Sequence, residues 1–183
     1  MISMWKRRDR HRGQARTSFL ARERRCRREA VHVVVALGLG HRVRSVNVRG
    51  AGHRAGYIDV GYDASRQTPQ DRHFDDMTVN LAPYTDVVAR EIYDQGSVDD
   101  IGSAYFHALS IIVLNAPPAG YSGSLTLDEL IAAARDRARR IVDDRAAAIT
   151  RMTALLVLRQ AISAPEIDQA WRNTATHGSV QRL

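Results

Sequence analysis

An apolar run at residues 30–39 constrains the fold of this chain more than any other feature, because so many consecutive apolar residues must be buried. His32 is the only ionisable residue in the run. The run is too short to span a bilayer, and Gly38 and Gly40 are typical of a helix end. We therefore predict a buried helix that begins near Phe19 and ends at Gly38.

The start of this helix carries half of a zinc-peptidase signature. In the full signature, two histidines at positions i and i+4 leave the same helix face and hold zinc, and a glutamate between them is the general base. Glu29 and His32 match the second half, whereas Arg28 stands where the first histidine would be. An arginine stays protonated and has no lone pair to give a metal. The sequence therefore predicts zinc binding that is weakened or absent, and it leaves open whether the chain is an enzyme.

The basic residues are concentrated at the N-terminus. Residues 1–28 carry eleven Lys or Arg and two acidic residues, whereas the rest of the chain carries 16 basic and 18 acidic residues. Basic arms of this kind bind nucleic acid or anionic surfaces, or keep a chain soluble. We predict a basic, disordered or loosely helical arm over residues 1–18, one domain over residues 19–172, and a flexible tail over residues 173–183.

The middle of the chain predicts a small β-hairpin. Apolar and polar residues alternate over residues 42–49 and again over residues 55–62, with a glycine-rich turn between them. Residues 63–73 are polar and predict a loop.

The remaining sequence is mainly helical in pattern. Helical spacing predicts a helix over residues 74–95 that Pro83 kinks or divides, and a second helix that Ser97 caps. Residues 127–156 predict one long helix or two stacked helices, and a short helix follows Pro165. The fold class is therefore α+β, mainly helical.

The order of these features resembles the peptidase domain of the FtsH family of membrane-bound, ATP-dependent zinc proteases. The matching segments are 28–36 for the family's histidine–glutamate helix, 43–50 and 56–57 for its hairpin, 81–83 for the next helix, 96–104 for the helix with the third zinc ligand, and 140–167 for the C-terminal helices. The resemblance implies an FtsH-peptidase-like helical domain with a small hairpin after the motif helix. It also implies that Glu29 is the catalytic base, that His32 and Asp100 are zinc ligands, and that a peptide or protein is the substrate.

Several positions depart from the family's pattern. Val31 and Pro83 stand where the family has glycines, and Val87 stands where it has a glutamate. The sequence contains no phosphate-binding loop, so we expect no ATP site. The family's ring assembles through its ATPase, so the oligomeric state of this chain stays open. We expect no transmembrane segment and a cytoplasmic location.

Three functions follow as hypotheses. The first is a zinc metallopeptidase that attacks a peptide carbonyl with zinc-activated water. The second is a catalytically inactive pseudo-peptidase that acts as a protein-binding module. In it, the Arg28 guanidinium takes the place of zinc and pairs with Asp100 and Glu29. The third is nucleic-acid binding through the basic arm.

Each candidate residue also has an ordinary structural interpretation. Glu29 is suited to pair with Arg25 on a solvated helix face, His32 to be a hydrogen-bonded core histidine, and Asp100 to cap a helix beside Ser97.

Rescue of the zinc site would need another histidine. His107 is two turns after Asp100 on the same predicted helix, about 10 Å along its axis, which is too far for easy sharing. His53 and His73 lie on predicted loops and stay open as alternatives, whereas Cys26 leaves the helix on a different face from Arg28.

Overall fold

The computed structural model describes residues 3–49, 57–61, 67–91 and 95–172, with side chains from residue 19 onward except residues 91–96. Within these ranges the chain forms helices α1 (Ser3–Gly38), α2 (Pro69–Leu81), α3 (Gln95–Leu114), α4 (Leu127–Asp144), α5 (Ala146–Arg159) and α6 (Ala164–Arg172), and strands β1 (Arg42–Asn47), β2 (Tyr57–Gly61) and β3 (Ala161–Ser163). The prediction of a mainly helical α+β fold is confirmed.

Helix α1 is built on the apolar run. Every residue from 30 to 36 is buried, and α1 is the central helix of the larger hydrophobic core. The helix ends in a Schellman motif, in which the His41 amide donates to the Ala36 carbonyl and the Gly40 amide to the Leu37 carbonyl, both at 3.0 Å. Gly40 adopts the left-handed conformation (φ 87°) that this motif requires.

The helix begins at Ser3 rather than near Phe19, so its backbone includes residues 3–18 of the predicted arm. The division of the chain into an arm, a domain and a tail stays a prediction, and the tail over residues 173–183 lies outside the described residues.

The sheet places one strand between two others. Strand β1 pairs antiparallel with β2 and with β3, in the order β2-β1-β3, and Val46 lies opposite Ile58 on one side and Ile162 on the other. The β1–β2 pair is the predicted hairpin, whose turn lies outside the described residues. Strand β3 was missed, because three residues are too few to show alternation.

The helix boundaries in the middle of the chain differ from the prediction. Helix α2 begins at Pro69, inside the predicted loop, because Thr68 and Asp71 form a capping box there. It ends at Leu81, and Pro83 lies in a 3₁₀ turn that follows. The predicted helix over residues 74–95 is therefore confirmed for residues 74–81 and wrong for residues 82–91, where the chain forms turns and two short 3₁₀ helices. Of the two alternatives for residues 127–156, the structure has two helices, α4 and α5, with Arg145 between them.

Helix α4 contributes buried residues to two hydrophobic cores. The larger core joins α1 to the sheet, α5 and α6, and the smaller core joins α2, α3 and α4. The polar residues of the candidate site lie where α1 meets α2 and α3.

Helix α3 also has the length and composition of a membrane span. Among the described residues, its segment Ser97–Leu114 alone meets these criteria, with a mean hydropathy of 1.2, and 22% of it is buried in the protein. One such helix is weak support for a span, because core helices of water-soluble domains meet the same criteria. The finding is consistent with the expected lack of a transmembrane segment.

A pair of leucines on α5 tests the position of the larger core. Leu156 is fully buried, whereas Leu158, two residues later, is 79% exposed. We expect Leu156→Ala to lower the free energy of unfolding by about 2–5 kcal/mol, because it removes buried methyl groups and leaves a cavity. The matched control, Leu158→Ala, should change it by less than about 0.5 kcal/mol. Urea denaturation measures both values, and equal effects would contradict this packing.

Candidate functional site

The fold brings three of the predicted site residues together. Arg28 and His32 lie one turn apart on α1 and leave the same face of it, and both are buried. Asp100 comes from α3. Its Oδ2 atom accepts from Arg28 Nη2 at 2.5 Å and lies 3.1 Å from His32 Nε2. One carboxylate oxygen therefore faces two cationic side chains.

The guanidinium of Arg28 is held by a second contact on the same helix α3. Its Nη1 donates to Ser97 Oγ at 3.2 Å, and the Ser97 carbonyl accepts from Tyr84 Oη at 2.5 Å. Ser97 lies inside α3 instead of capping it, because the helix begins at Gln95. The two contacts of the guanidinium fix its plane, as expected for a rigid fork of donors.

The hydrogen bonds of His32 define its charge. Its Nδ1 donates to the Val79 carbonyl at 2.9 Å, so this nitrogen carries a proton. Its Nε2 faces the Asp100 carboxylate, which is also an acceptor. Because both ring nitrogens face acceptors, these contacts favour the doubly protonated imidazolium.

The pKa of His32 agrees with this assignment. Burial alone would lower the pKa of the ring, but the charge and hydrogen bond of Asp100, together with the charge of Glu29, raise the pKa above its ordinary value of 6.5. Burial would likewise raise the pKa of Asp100, but His32 and then Arg28 lower it below its ordinary value of 3.8.

Glu29 contributes the second carboxylate of the cluster. It is half-buried on α1 and close enough for its charge to raise the pKa of His32. The predicted role of Glu29 as a catalytic base stays a prediction. Together, Arg28 and His32 supply two positive charges, and Asp100 and Glu29 supply two negative charges.

The other candidate histidines have different partners. Nδ1 of His73 and Nδ1 of His107 lie 2.9 Å apart, and His107 Nε2 lies 3.9 Å from an oxygen of Asp76. His73 lies on α2 rather than on the predicted loop, and His53 is outside the described residues. The contacts of His73 and His107 therefore give no support for rescue of a zinc site at Asp100.

These residues do not fit a zinc ion. A catalytic zinc site uses three protein ligands, but at the three ligand positions only His32 and Asp100 offer lone pairs here, and the Arg28 guanidinium contacts the Asp100 oxygen that would bind the metal. In the described part of the chain, no group of three His, Cys, Asp or Glu side chains is arranged to hold a metal ion.

A second ion pair beside the cluster was missed by sequence reasoning. Arg27 donates from Nε and Nη2 to the two carboxylate oxygens of Asp86, at 2.9 and 2.7 Å. Asp86 Oδ1 also accepts from the amides of Val88 and Ala89, so it shapes the turn after α2. Burial would raise the pKa of Asp86, but the bonds from Arg27 and these amides lower it. The partners are 59 residues apart, and no local sequence pattern predicts such a pair.

Comparison of the sequence with known protein families and curated proteins identified no match. No protein-family model matches this chain, and no curated protein matches its sequence. The resemblance to the FtsH-type peptidase domain therefore stays a prediction.

Removal of the Asp100 charge should change both the pKa of His32 and the stability of the fold. We expect Asp100→Asn to lower the pKa of His32, since burial then acts without the opposing carboxylate. We expect it to lower the free energy of unfolding by about 2–4 kcal/mol, because Arg28 stays buried without its anionic partner. NMR titration of the His32 ring and urea denaturation measure the two effects. Asp99→Asn is the matched control, because Asp99 is the exposed neighbour of Asp100. Equal effects of the two variants would contradict the assignment.

The stabilising effect of the cluster should depend on pH in both directions. The lowered pKa of Asp100 gives stability that is present above 3.8 and is lost as the pH falls through the folded-state pKa. The raised pKa of His32 gives stability that is present below 6.5 and is lost as the pH rises through its folded-state pKa. The difference in unfolding free energy between the unaltered protein and Asp100→Asn should therefore be largest between these two values. A constant difference across the pH range would contradict this account.

Proposed function

We propose that this chain is a metallopeptidase-like protein without catalytic activity, which acts as a protein-binding module. In this proposal, the ion cluster of Arg28, His32 and Asp100 occupies the place that a metal would take in an active relative. The observation that carries the proposal is the 2.5 Å contact between Arg28 Nη2 and Asp100 Oδ2.

The charges of the cluster support the proposal that the cationic side chains of Arg28 and His32 take the place of a metal cation. In an active site of the resembled kind, a zinc ion would compensate the charges of Asp100 and Glu29. Here a guanidinium contacts Asp100 directly, and the His32 imidazolium lies beside it. Such a substitution keeps the two carboxylates compensated, so the helices that carry them pack without the metal.

The same contacts oppose hydrolysis. A catalytic zinc site uses three protein ligands and leaves one position for water. Arg28 provides no ligand, so only His32 and Asp100 are left, and Oδ2 of Asp100 is engaged by the guanidinium. Glu29 would then have no metal-bound water to deprotonate, and a carboxylate alone is a weak catalyst of peptide hydrolysis.

An extended peptide is the kind of partner that the sheet is suited to bind. Within the described residues, β2 pairs only with β1, so the other edge of β2 offers its backbone groups to a further strand. Extended peptides bind proteins by this addition of a strand. Tyr57, at the start of β2, is 58% exposed and would contribute apolar surface.

Zinc content tests the proposal directly. Elemental analysis would compare the unaltered protein with Arg28→His and, as a control, Arg24→His, after exposure to zinc and removal of free metal. We expect no bound zinc in the unaltered protein or the control, and near-stoichiometric zinc in Arg28→His, because histidines at positions 28 and 32 would share one helix face with Asp100 opposite. Zinc in the unaltered protein would overturn the proposal. Lack of zinc in Arg28→His would contradict the idea that this is the place of a metal.

Proteolysis provides a second test. We expect the purified protein to leave casein uncut, and we expect the same result with the Glu29→Gln variant. Cleavage that Glu29→Gln abolishes would show a working catalytic base and would overturn the proposed lack of activity.

A further inference from the structure

The outer face of α3 exposes an apolar surface. Its exposed large side chains are Val98 (45%), Tyr105 (46%), Phe106 (63%), Leu109 (52%), Val113 (81%) and Leu114 (44%). The helix contains no Asp, Glu, Lys or Arg after Asp100. We call this surface the outer α3 face.

The opposite side of α3 is already packed in the protein. Ala104, Ala108 and Ile111 are fully buried against α2 and α4. A helix that is apolar on both sides is typical of one that is covered on both sides. Six large apolar side chains of this face are 44–81% exposed, and a stable interface buries roughly 800 Å² on each partner.

The residues of this face have a two-fold pattern. When a helix packs antiparallel against its own copy, a two-fold axis crosses both helices. A residue a given distance before the axis in one copy then faces the residue the same distance after the axis in the other copy. An axis between Tyr105 and Phe106 places Val98 opposite Val113 of the second copy. The same axis places Gly102 opposite Leu109 of the second copy.

Gly102 makes this arrangement close-packed. A Cβ atom added at Gly102 would have nothing within 4 Å, so the glycine leaves an open notch on the exposed helix surface. In the antiparallel arrangement, the notch at Gly102 of one copy lies opposite the Leu109 side chain of the other copy. The two-fold axis produces the same contact a second time, with the two copies exchanged. Insertion of a large side chain into a gap beside a small one is how helices pack closely.

We propose that the outer α3 face is a homodimer interface, in which α3 packs antiparallel against α3 of a second copy. The axis passes between Tyr105 and Phe106. This interface is independent of the proposed function, because Asp100 and the ion cluster lie on the other side of α3.

The charged residues of α3 favour a second copy over a lipid surface. The chain has a net charge of +7, so two copies repel each other, and the apolar contact of the outer α3 face must offset that repulsion. A helix that lies on a membrane carries Lys or Arg beside its apolar face. The nearest charged residues on α3 are Asp99 and Asp100, which would repel anionic lipid.

Sedimentation equilibrium of the full chain tests the proposal. We expect the unaltered protein to be a dimer that high salt does not weaken, because the contact is apolar and screening reduces the repulsion between copies. Leu109→Glu should raise the dimer dissociation constant about 30-fold or more, the effect of a central interface residue. Leu158→Glu, an equally drastic change at an exposed leucine of α5, should leave it unchanged.

Gly102→Gln separates association from folding. A Cβ atom at this exposed position would have nothing within 4 Å, and glutamine has a higher helix propensity than glycine, so the fold should be retained or strengthened. The same side chain fills the notch for Leu109, so the dimer should dissociate at higher protein concentrations than the unaltered protein. Circular dichroism would verify the fold of each variant.

Three results would overturn the proposal. The first is an unaltered protein that stays monomeric at all concentrations. The second is a monomer that floats with phosphatidylcholine–phosphatidylglycerol vesicles, which would assign the outer α3 face to lipid. The third is an equal loss of the dimer in Leu158→Glu and Leu109→Glu, which would place the interface elsewhere.

Discussion

The contact between Arg28 and Asp100 determines how the helices around the candidate site are arranged. Two buried cations on one carboxylate oxygen are costly to desolvate, and their attraction must offset that cost. Arg28 also donates to Ser97, and His32 donates to the Val79 carbonyl. These contacts join α1 to α3 and to α2, so they hold the three helices in one relative orientation.

Helix α1 connects this polar cluster to the larger core. Its apolar run packs against the sheet and α5, and its preceding turn carries Arg27 and Arg28, which bind acidic residues outside that core. The transition from arginine-rich to apolar sequence therefore coincides with the transition from an ion-paired surface to a packed interior. Such a helix can tolerate buried arginines because each has an anionic partner.

Helix α3 has a different chemistry on each side. Its N-terminal half supplies Ser97 and Asp100 to the cluster, its inner face packs on α2 and α4, and its outer face is exposed and uncharged. If a second copy covers the outer face, the dimer would also hold rigid the helix that positions Asp100. The proposed pseudo-peptidase site and the proposed interface would then share one structural element while using separate residues of it.

The local sequence determined much of the fold and part of the site. The apolar run predicted the buried helix α1, alternation predicted the β1–β2 pair, and Gly40 marked the helix end, since each of these depends on residues close together in the chain. The contact of Arg28 with Asp100, 72 residues apart, was expected only from a resemblance to a known family. The start of α2 was missed although its capping box, Thr68 and Asp71, is a local signal, and α3 begins two residues before the predicted cap at Ser97. The three residues of β3 are too few to show alternation. Only the tertiary structure decided that the pKa of His32 is raised and that one side of α3 stays exposed, because the pKa of a buried ring and the accessibility of a helix face depend on what packs against them.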